Sequence, residues 1–567
     1  MIQSSPERIA EYQQRGWWGQ TTVDDVFRDA VARAGGEEAV VDPPNKEELT
    51  GAPQQRYTFA ELDRLVDGLA SRLLALGLRK NDVLATQLPN TVEGVVTFLA
   101  CARLGVVFCP VAMQFREHEL RYILGKSGAT AFMTVPRFKD TEPAARAETL
   151  VPEFERLRHL LVWRGQEADP TDLSLERLAG ADPAPLRAYL EGLKIDPHET
   201  LTLCWTSGTE SRPKGVPRHH AHWVVNGESC SECGQLQEGE NILNPFPMVN
   251  IASLGGMVMP WLMTRGKLVQ HHPFDLPVFL RQMAEEKINY TVAPPAILNL
   301  LLKNGELLAK TDISHLRCIG SGSAPLAPWM VKGWQEQHGI VVVNIFGSNE
   351  GCSLFSTGED FPDPEDRALY FPRFGVEGLE WPSRFQKKII TCLKDPETGE
   401  IITEPERPGE LCFDGAMRFD GYWQDDELNA EVIDADGYYH SGDLFEIVDD
   451  GEPIPRRYRF IGRVKELIIR GGMNISPAEL DALVESHPAL QEAAVFGIPD
   501  EVLGEKVCAA VVPKPGESVT LDGLIEHLKS LQVASYKWPQ ELVVMEALPR
   551  NPLGKVVRRE LSPPAPT

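Results

Sequence analysis

The chain has 567 residues, which at about 100–200 residues per domain predicts several folded units. Hydrophobic residues make up 43% of it and charged residues 24%, a composition that excludes disordered, collagen-like and disulfide-scaffold chains. The 56 Lys and Arg residues against 82 Asp and Glu residues give a formal charge of −26, which disfavours nucleic acid and anionic membrane surfaces as partners.

Apolar strand-like runs alternate with amphipathic helical segments along most of the chain. The predicted elements, in chain order, are a helix at 59–78, a strand at 82–88, a helix at 92–104, strands at 160–163 and 201–205, a helix at 278–287, a strand at 290–293 and a helix at 296–302. Two charged segments, 36–54 and 137–148, are interpreted as surface loops. This alternation predicts an α/β fold of layered, largely parallel sheets.

The pattern changes near residue 388. Short apolar runs at 388–393, 409–413 and 442–448 are separated by Pro, Gly and Asp, which predicts a β-rich subdomain over about 385–461. Strands and helices alternate again beyond Gly462 and predict a small α+β domain. We therefore predict a large N-terminal domain at 1–461 and a C-terminal domain at 462–567.

The cysteines and the chain ends predict a cytoplasmic protein. The 10 Cys are scattered, the first twenty residues hold no apolar signal core, and the C-terminus carries no peroxisomal tripeptide. The most apolar stretch, 95–115, is interrupted by Arg103, Gly105 and Pro110, so it predicts a buried helix and strand instead of a membrane span. Neither the Cys230–Cys233 pair nor the paired histidines are interpreted as a metal site. The oligomeric state stays open, with a homodimer as one option.

A loop rich in phosphate-binding groups follows the predicted strand at 201–205. Its sequence is Thr206-Ser-Gly-Thr-Glu-Ser-Arg-Pro-Lys-Gly215. Hydroxyls and backbone N–H groups can surround phosphate oxygens, Gly allows close approach, and Lys adds a charge. The spacing does not match a Walker loop, and an ordinary surface turn is the alternative.

This loop resembles the phosphate loop of the adenylate-forming superfamily, which includes acyl- and aryl-CoA ligases, peptide-synthetase adenylation domains and firefly-type luciferases. It departs from the usual pattern at Glu210 and Ser211. Further segments resemble other motifs of the superfamily in the same order: Ser321–Leu326, Asn344–Glu350, Tyr438–Leu444, Gly462–Glu466, Arg470–Pro477 and Pro549–Lys555. The resemblance spans nearly the whole chain and implies ATP-dependent activation of a carboxylic acid.

The resemblance implies a role for each matched residue. Two anions meet when a carboxylate attacks the α-phosphate, and Lys555 is expected to neutralise the developing charge. Glu350 is expected to bind Mg²⁺, Asp443 the ribose hydroxyls, and Arg463 the ribose or the α-phosphate. The other residues expected to contact the nucleotide are Thr206, Ser207, Gly208, Thr209 and Lys214 at the β- and γ-phosphates, Gly322, Ser323 and Ala324 beside adenine, and Asn344, Phe346, Gly347 and Asn349, with Phe346 stacking on adenine and Asn349 replacing the usual Thr.

The second half-reaction is expected to join the acyl group to coenzyme A. In the superfamily the C-terminal domain turns about a hinge, withdraws the terminal Lys and admits a thiol. Lys465 occupies the hinge position, and Gly471 and Gly472 would let a narrow thiol arm pass along bare backbone. The resemblance therefore implies that the C-terminal domain is mobile.

The acid pocket is expected to involve Met248, Asn250 and Gly322. The apolar surroundings of Met248 predict a hydrophobic acid, and Pro245 stands where activators of dihydroxybenzoate carry Asn. The leading prediction is an ATP-dependent acid–CoA ligase. One alternative is an acyl-adenylate synthetase that loads a carrier protein. The other is a non-catalytic member that binds nucleotide or acyl-AMP, which Glu210, Ser211 and Asn349 favour.

Overall fold

A computed structural model describes residues 1–164, 171–206, 213–470, 473–500, 503–531, 533–550 and 555–561. Its strands are β1 Glu38–Val41, β2 Arg56–Thr58, β3 Val83–Gln87, β4 Val107–Pro110, β5 Ala131–Thr134, β6 His159–Val162, β7 Thr200–Thr206, β8 Lys214–His219, β9 Ile242–Asn244, β10 Leu268–Gln270, β11 Tyr290–Val292, β12 Cys318–Gly322, β13 Val341–Ser348, β14 Gly351–Ser356, β15 Tyr370–Pro372, β16 Ile389–Lys394, β17 Ile401–Ile402, β18 Gly409–Gly415, β19 Tyr439–Val448, β20 Arg457–Arg463, β21 Ile468–Arg470, β22 Met473–Ile475, β23 Leu490–Asp500, β24 Gly504–Pro513 and β25 Glu541–Val544.

The α-helices lie between these strands. They are α1 Pro6–Gln14, α2 Val23–Ala34, α3 Lys46–Thr50, α4 Phe59–Ala75, α5 Val92–Leu104, α6 Glu117–Ser127, α7 Pro143–Leu150, α8 Leu175–Ala179, α9 Ala184–Gly192, α10 His220–Cys233, α11 Ile251–Ser253, α12 Met259–Thr264, α13 Leu276–Glu285, α14 Pro295–Lys303, α15 Gly305–Ala309, α16 Pro328–His338, α17 Pro364–Leu369, α18 Asp426–Val432, α19 Pro477–Glu485 and α20 Leu521–Ser530. A π-helical turn, Leu254–Val258, joins α11 to α12.

The chain divides into two compact units. Unit 1 comprises residues 1–367, 381–389 and 415–433, and unit 2 comprises 368–380, 390–414 and 434–567. Each unit is assembled from several separate segments of the chain, so the predicted boundary at residue 462 stays a prediction.

Unit 1 contains two mostly parallel sheets. One has the strand order β14-β13-β12-β11-β9-β10-β1-β2, with antiparallel partners only at its two ends. The other has the order β6-β5-β3-β4-β7-β8 and ends in the antiparallel β7–β8 pair. Helix α5 is buried at every position and leads into the buried strand β4, as the apolar stretch at 95–115 predicts. Continuous apolar strands are typical of sheets covered on both faces.

Unit 2 contains two sheets of its own. The first has the order β15-β20-β19-β18-β16-β17, and it confirms the three strand-like runs predicted between 388 and 448. The second has the order β22-β21-β24-β23, with β25 beside β24. Successive residues of β23 and β24 enter two separate apolar clusters on opposite faces. Successive side chains of a strand point to opposite faces, and both faces are buried here. This explains why both strands carry few polar residues.

The interpretation of 36–54 and 137–148 as loops is wrong. The first segment contains β1, which pairs with both β10 and β2, and the short helix α3. The second enters helix α7, which begins at Pro143. Charged neighbours conceal β1, whose apolar part is only Ala39–Val41. Among the described residues, no helix combines the length and apolar character needed to cross a membrane.

Candidate active site

The two ends of the predicted phosphate loop are held together by the β7–β8 pair. Thr206 lies opposite Lys214 in the antiparallel register. The Lys214 backbone N–H points to Thr206 Oγ1 at 3.4 Å. Ser207, Gly208, Thr209 and the departures Glu210 and Ser211 lie outside the described residues. The structure therefore places the flanks of the predicted loop.

Tyr422 connects the loop flank to the predicted metal ligand. The Lys214 ammonium lies 5.2 Å from the centroid of the Tyr422 ring, within the range of a cation–π contact. The Tyr422 hydroxyl donates to Glu350 Oε1 at 2.7 Å. Sequence reasoning missed Tyr422, and the aromatic run Phe419-Asp-Gly-Tyr-Trp423 was the signal available.

The surroundings of Glu350 fit a cation. Its side chain is 7% exposed, and its backbone carbonyl is fixed by the Phe419 N–H at 2.8 Å. Within the ranges that the structure describes, no Lys, Arg or His forms an ion pair with this carboxylate. A buried carboxylate needs compensation, and carboxylate oxygen is the ligand type that Mg²⁺ prefers.

Asn349 joins the Asn344–Glu350 segment to the predicted acid pocket. Its Oδ1 accepts the Ile251 N–H at 2.9 Å, at the start of helix α11. Asn250 caps the same helix, with its Oδ1 accepting the Ser253 N–H at 3.2 Å. The Asn349 carbonyl also accepts from Arg218 Nη1 at 2.9 Å. The amide oxygen thus has a structural partner, and Nδ2 is the atom that could donate to a phosphate.

Met248 lies beside the same segment. It is buried, its N–H donates to Asn90 Oδ1 at 2.9 Å, and its sulfur lies 3.3 Å from Gln270 Nε2. Asn90, which the sequence analysis missed, also donates to the Phe246 carbonyl at 2.7 Å. The π-helical turn begins at Leu254, three residues after Ile251. Such turns are frequent at functional sites.

The predicted adenine turn begins where β12 ends. A Cβ on Gly322 would lie 2.0 Å from the Ile345 carbonyl oxygen, so only Gly allows this approach of β12 to β13. Ser323 follows in a left-handed conformation with φ of 67°, and Ser323 and Ala324 are exposed.

On β13 the predicted contacts differ in their exposure. Asn344 is buried, and its Nδ2 donates to the Arg367 carbonyl at 3.3 Å. Phe346 is half-buried and Gly347 is exposed. The amide of Asn344 therefore supports the fold, whereas Phe346 is partly accessible.

Unit 2 brings three further predicted residues together. Asp443 and Arg463 are directly opposite on β19 and β20, with Arg463 Nε 3.1 Å from Asp443 Oδ1. Burial raises the pKa of Asp443 to about 6, against the opposing positive charges of Arg463 and Lys555. Lys555 is exposed and close enough to act on this carboxylate. Gly471, Gly472 and the side chain of Lys465 lie outside what the structure describes.

A histidine cluster in unit 1 is a helix cap. His219 caps the start of helix α10 and His222 lies in its first turn. Each Nδ1 accepts the backbone N–H of the other, at 3.1 and 3.4 Å. Their Nε2 atoms lie 3.9 and 4.0 Å from Asp420 Oδ2, a spacing that could suit an ion. Because Nδ1 accepts a hydrogen bond, the neutral ring carries its proton on Nε2 and cannot use Nε2 as a metal ligand. Burial lowers both pKa values well below the ordinary range.

Comparison with protein families matches both parts of the chain. The model of the AMP-binding enzyme covers residues 27–423, and the model of the AMP-binding enzyme C-terminal domain covers 479–555. The chain belongs to the AMP-binding enzyme family. The predicted membership of the adenylate-forming superfamily is therefore confirmed, as is the predicted α/β class with a large N-terminal and a small C-terminal domain.

The chain is similar to named relatives over almost its full length. It is 29% identical to the medium-chain fatty-acid–CoA ligase of Escherichia coli, over 97% of this chain and 91% of that one. It is 29% identical to the salicyl-AMP ligase / salicyl-S-ArCP synthetase of Mycobacterium tuberculosis, over 98% and 93% of the two chains. The anthranilate CoA ligase AuaEII in complex with anthranoyl-AMP has the same fold, with a TM-score of 0.79, 19% identity and coverage of 95% and 96%. The prediction of an AMP-forming acid–thiol ligase is confirmed at this level, and the family implies the use of ATP and coenzyme A.

Proposed function

We propose that this enzyme joins a hydrophobic carboxylic acid to coenzyme A in two steps, with ATP converted to AMP and pyrophosphate. The observation that supports the proposal is the chain of contacts from Lys214 through Tyr422 to Glu350 in a member of the AMP-binding enzyme family. A cation, a hydroxyl and a buried carboxylate at one loop are the groups that binding of a nucleotide triphosphate requires.

In the first step an oxygen of the acid attacks the α-phosphorus, and the bond to the pyrophosphate oxygen breaks. Lys214 and Thr206 hold the β- and γ-phosphates at the loop flanks. Glu350 would hold Mg²⁺, which supplies charge neutralisation to the phosphate oxygens when bound. Tyr422 orients the Glu350 carboxylate through its hydroxyl. Asn349 donates from Nδ2 to the α-phosphate.

Asp443, Arg463 and Lys555 are proposed to act on other parts of the nucleotide. Asp443 accepts hydrogen bonds from the ribose hydroxyls, and Arg463 orients Asp443. Lys555 neutralises the charge shared by the attacking carboxylate and the α-phosphate. Its long, flexible stem suits a group that is needed in only one of the two steps.

In the second step a thiol sulfur attacks the acyl carbonyl, the thiol loses its proton, and AMP leaves. Lys465, Gly471 and Gly472 are the residues proposed for the hinge and the thiol path. The alternative acceptor is a carrier protein, which the name of the salicyl-S-ArCP synthetase favours. Reaction with coenzyme A against a pantetheinylated carrier distinguishes the two acceptors.

The acid is proposed to be hydrophobic because Met248 is buried and the apolar residues Val249, Ile251 and Leu254 follow it in the chain. Asn250 and Gly322 are proposed to line the same pocket. The relatives are named for medium-chain fatty acids and for salicylate. The proposed compartment is the cytoplasm, since the nine cysteines whose side chains the structure describes are free thiols and thiols persist in reducing compartments. We also propose that the enzyme forms a homodimer, to be tested by its mass in solution.

The test of the proposal is pyrophosphate release with ATP and Mg²⁺ across fatty acids, benzoates, cyclohexane acids and steroid side-chain acids. We expect release that requires a particular hydrophobic acid and turnover that coenzyme A accelerates. Release with an acid but no acceleration by coenzyme A would support a carrier protein as the acceptor. No release with any acid, from folded protein that binds ATP, would contradict the proposal and support the non-catalytic alternative.

A second test separates the two steps. Lys555→Ala should abolish adenylate formation and leave the reaction of supplied acyl-adenylate with coenzyme A largely intact. Lys514→Ala removes an exposed Lys from the same unit and should change neither step. An equal fall in both steps for Lys555→Ala would show that the role assigned to Lys555 is wrong.

A further inference from the structure

The segment that carries Asp443 bulges out of its strand. From His440 to Leu444 strand β19 advances by four residues, while its partner β18 advances by two, from Cys412 to Glu410. Gly442 lies within this bulge with φ of 73°, a left-handed conformation that favours Gly. The position of Asp443 therefore depends on what holds the bulge.

Glu410 holds the bulge from the neighbouring strand. Its Oε1 accepts the Gly442 N–H at 2.7 Å, and its side chain is mostly buried. Its other oxygen, Oε2, lies 2.8 Å from His440 Nδ1. One carboxylate thus bridges the backbone immediately before Asp443 and the imidazole at the start of the bulge.

His440 lies between two carboxylates. Its Nε2 is 3.3 Å from Asp434 Oδ2, and the same oxygen accepts from Lys394 Nζ at 2.6 Å. An imidazole with a carboxylate at each nitrogen is stabilised as the cation, and the hydrogen bond to Glu410 raises the pKa of His440.

Among the other titratable groups that the structure describes near His440, Lys394 opposes this state, because its ammonium shares Asp434 Oδ2 with His440. Cys412 Sγ is 3.5 Å from Nδ1, and burial raises the pKa of its thiol, which stays neutral. Asp436, Tyr438 and Cys392 lie near Lys394, and Asp414 acts on Tyr438. Glu410, Cys412 and His440 are close enough to hold one ion, but a carboxylate already faces each nitrogen of His440, which suits protons.

We propose that Glu410 and His440 are positioning residues for Asp443, with His440 fixing Glu410 and Glu410 fixing the bulge that presents Asp443 to the ribose. This inference rests on the proposed function of Asp443. It predicts that ATP binding weakens when His440 loses its proton, because Glu410 then loses the cation that orients it.

The first experiment is Glu410→Ala in the full-length enzyme, assayed by acid-dependent ATP–pyrophosphate exchange without coenzyme A. We expect KM for ATP to rise about tenfold, the size of a lost hydrogen bond to a charged group, with a smaller change in kcat. The matched control is Glu446→Ala. Glu446 is also buried on β19 and paired with a cation, since Arg459 Nε lies 2.6 Å away, but it does not contact the bulge. Its variant should lose stability and keep the wild-type KM.

The second experiment tests the protonated state and does not depend on Glu410→Ala folding. KM of the wild type for ATP should rise as the pH rises through the pKa of His440, above 6.5. His440→Gln keeps a donor for Glu410 but carries no charge and does not titrate, so its KM should be raised already at low pH and stay constant over that range. A pH-dependent rise in KM that persists in His440→Gln would overturn the inference.

Asp443→Asn separates this inference from the function on which it rests. If Asp443→Asn raises KM for ATP and Glu410→Ala does not, the positioning role is wrong and the role of Asp443 stands. If Asp443→Asn also leaves KM unchanged, Asp443 does not bind the ribose and both claims fail. Similar increases in the two variants support both.

Discussion

Tyr422→Phe tests the assignment of Glu350 most directly. The substitution removes one hydroxyl, which donates to Glu350 Oε1 at 2.7 Å, and keeps the ring that faces Lys214. Loss of a partner that orients a metal ligand typically weakens metal binding about 10–100-fold. We therefore expect the Mg²⁺ concentration for half-maximal pyrophosphate release to rise by about tenfold or more, while saturating Mg²⁺ restores most of the rate.

The assay is pyrophosphate release against Mg²⁺ concentration, with thermal unfolding measured in parallel. Tyr458→Phe is the matched control, because Tyr458 is fully buried and its hydroxyl lies 3.4 Å from Thr391 Oγ1, in unit 2. It should lower stability without changing the Mg²⁺ dependence. An unchanged Mg²⁺ dependence in folded Tyr422→Phe would refute the assignment of Glu350 as the metal ligand.

Three further predictions address the other site segments. Asn349→Ala should cost about 1 kcal/mol of stability and raise KM for the acid more than KM for ATP, because the Ile251 N–H loses its acceptor; equal changes in both constants would contradict this. Gly322→Ala should destabilise the protein by about 1–3 kcal/mol, since its Cβ would lie 2.0 Å from the Ile345 oxygen; a wild-type urea midpoint would contradict it. The pKa of Asp443 is raised to about 6, so the folded protein favours the protonated carboxyl more than the unfolded chain does. Its contribution to the free energy of unfolding, about 3 kcal/mol, is present at pH 4 and is lost as the pH rises through 6. Asp443→Asn should remove this pH dependence of unfolding.

The sequence predicted those parts of the fold whose evidence is local. Helix α5 and strand β4 were predictable because an uninterrupted apolar run requires burial on all sides. Strand β1 was not, because its three apolar residues are too few to separate from charged neighbours, and its parallel partner β10 is distant in sequence.

The candidate site shows the same division. Motifs predicted roles for Glu350, Asp443 and Lys555, since each lies in a contiguous segment with a distinctive pattern. Tyr422 could not be found in this way, because its partner Glu350 is 72 residues away and only folding reveals the contact. Glu410 and His440 are likewise joined across neighbouring strands, 30 residues apart.

Asn349 stands where the superfamily usually has Thr. Its contact with Ile251 helps to decide whether this difference indicates a lost activity. A Thr hydroxyl combines its donor and acceptors on one oxygen, whereas an Asn amide carries them on two different atoms. The Asn349 oxygen accepts the Ile251 N–H at the start of α11, and its nitrogen stays available as a donor. The amide could therefore bind a phosphate oxygen while its oxygen holds the start of α11, in the predicted acid-pocket segment, in place. This makes Asn349 weak support for a non-catalytic member, and leaves that alternative resting on Glu210 and Ser211.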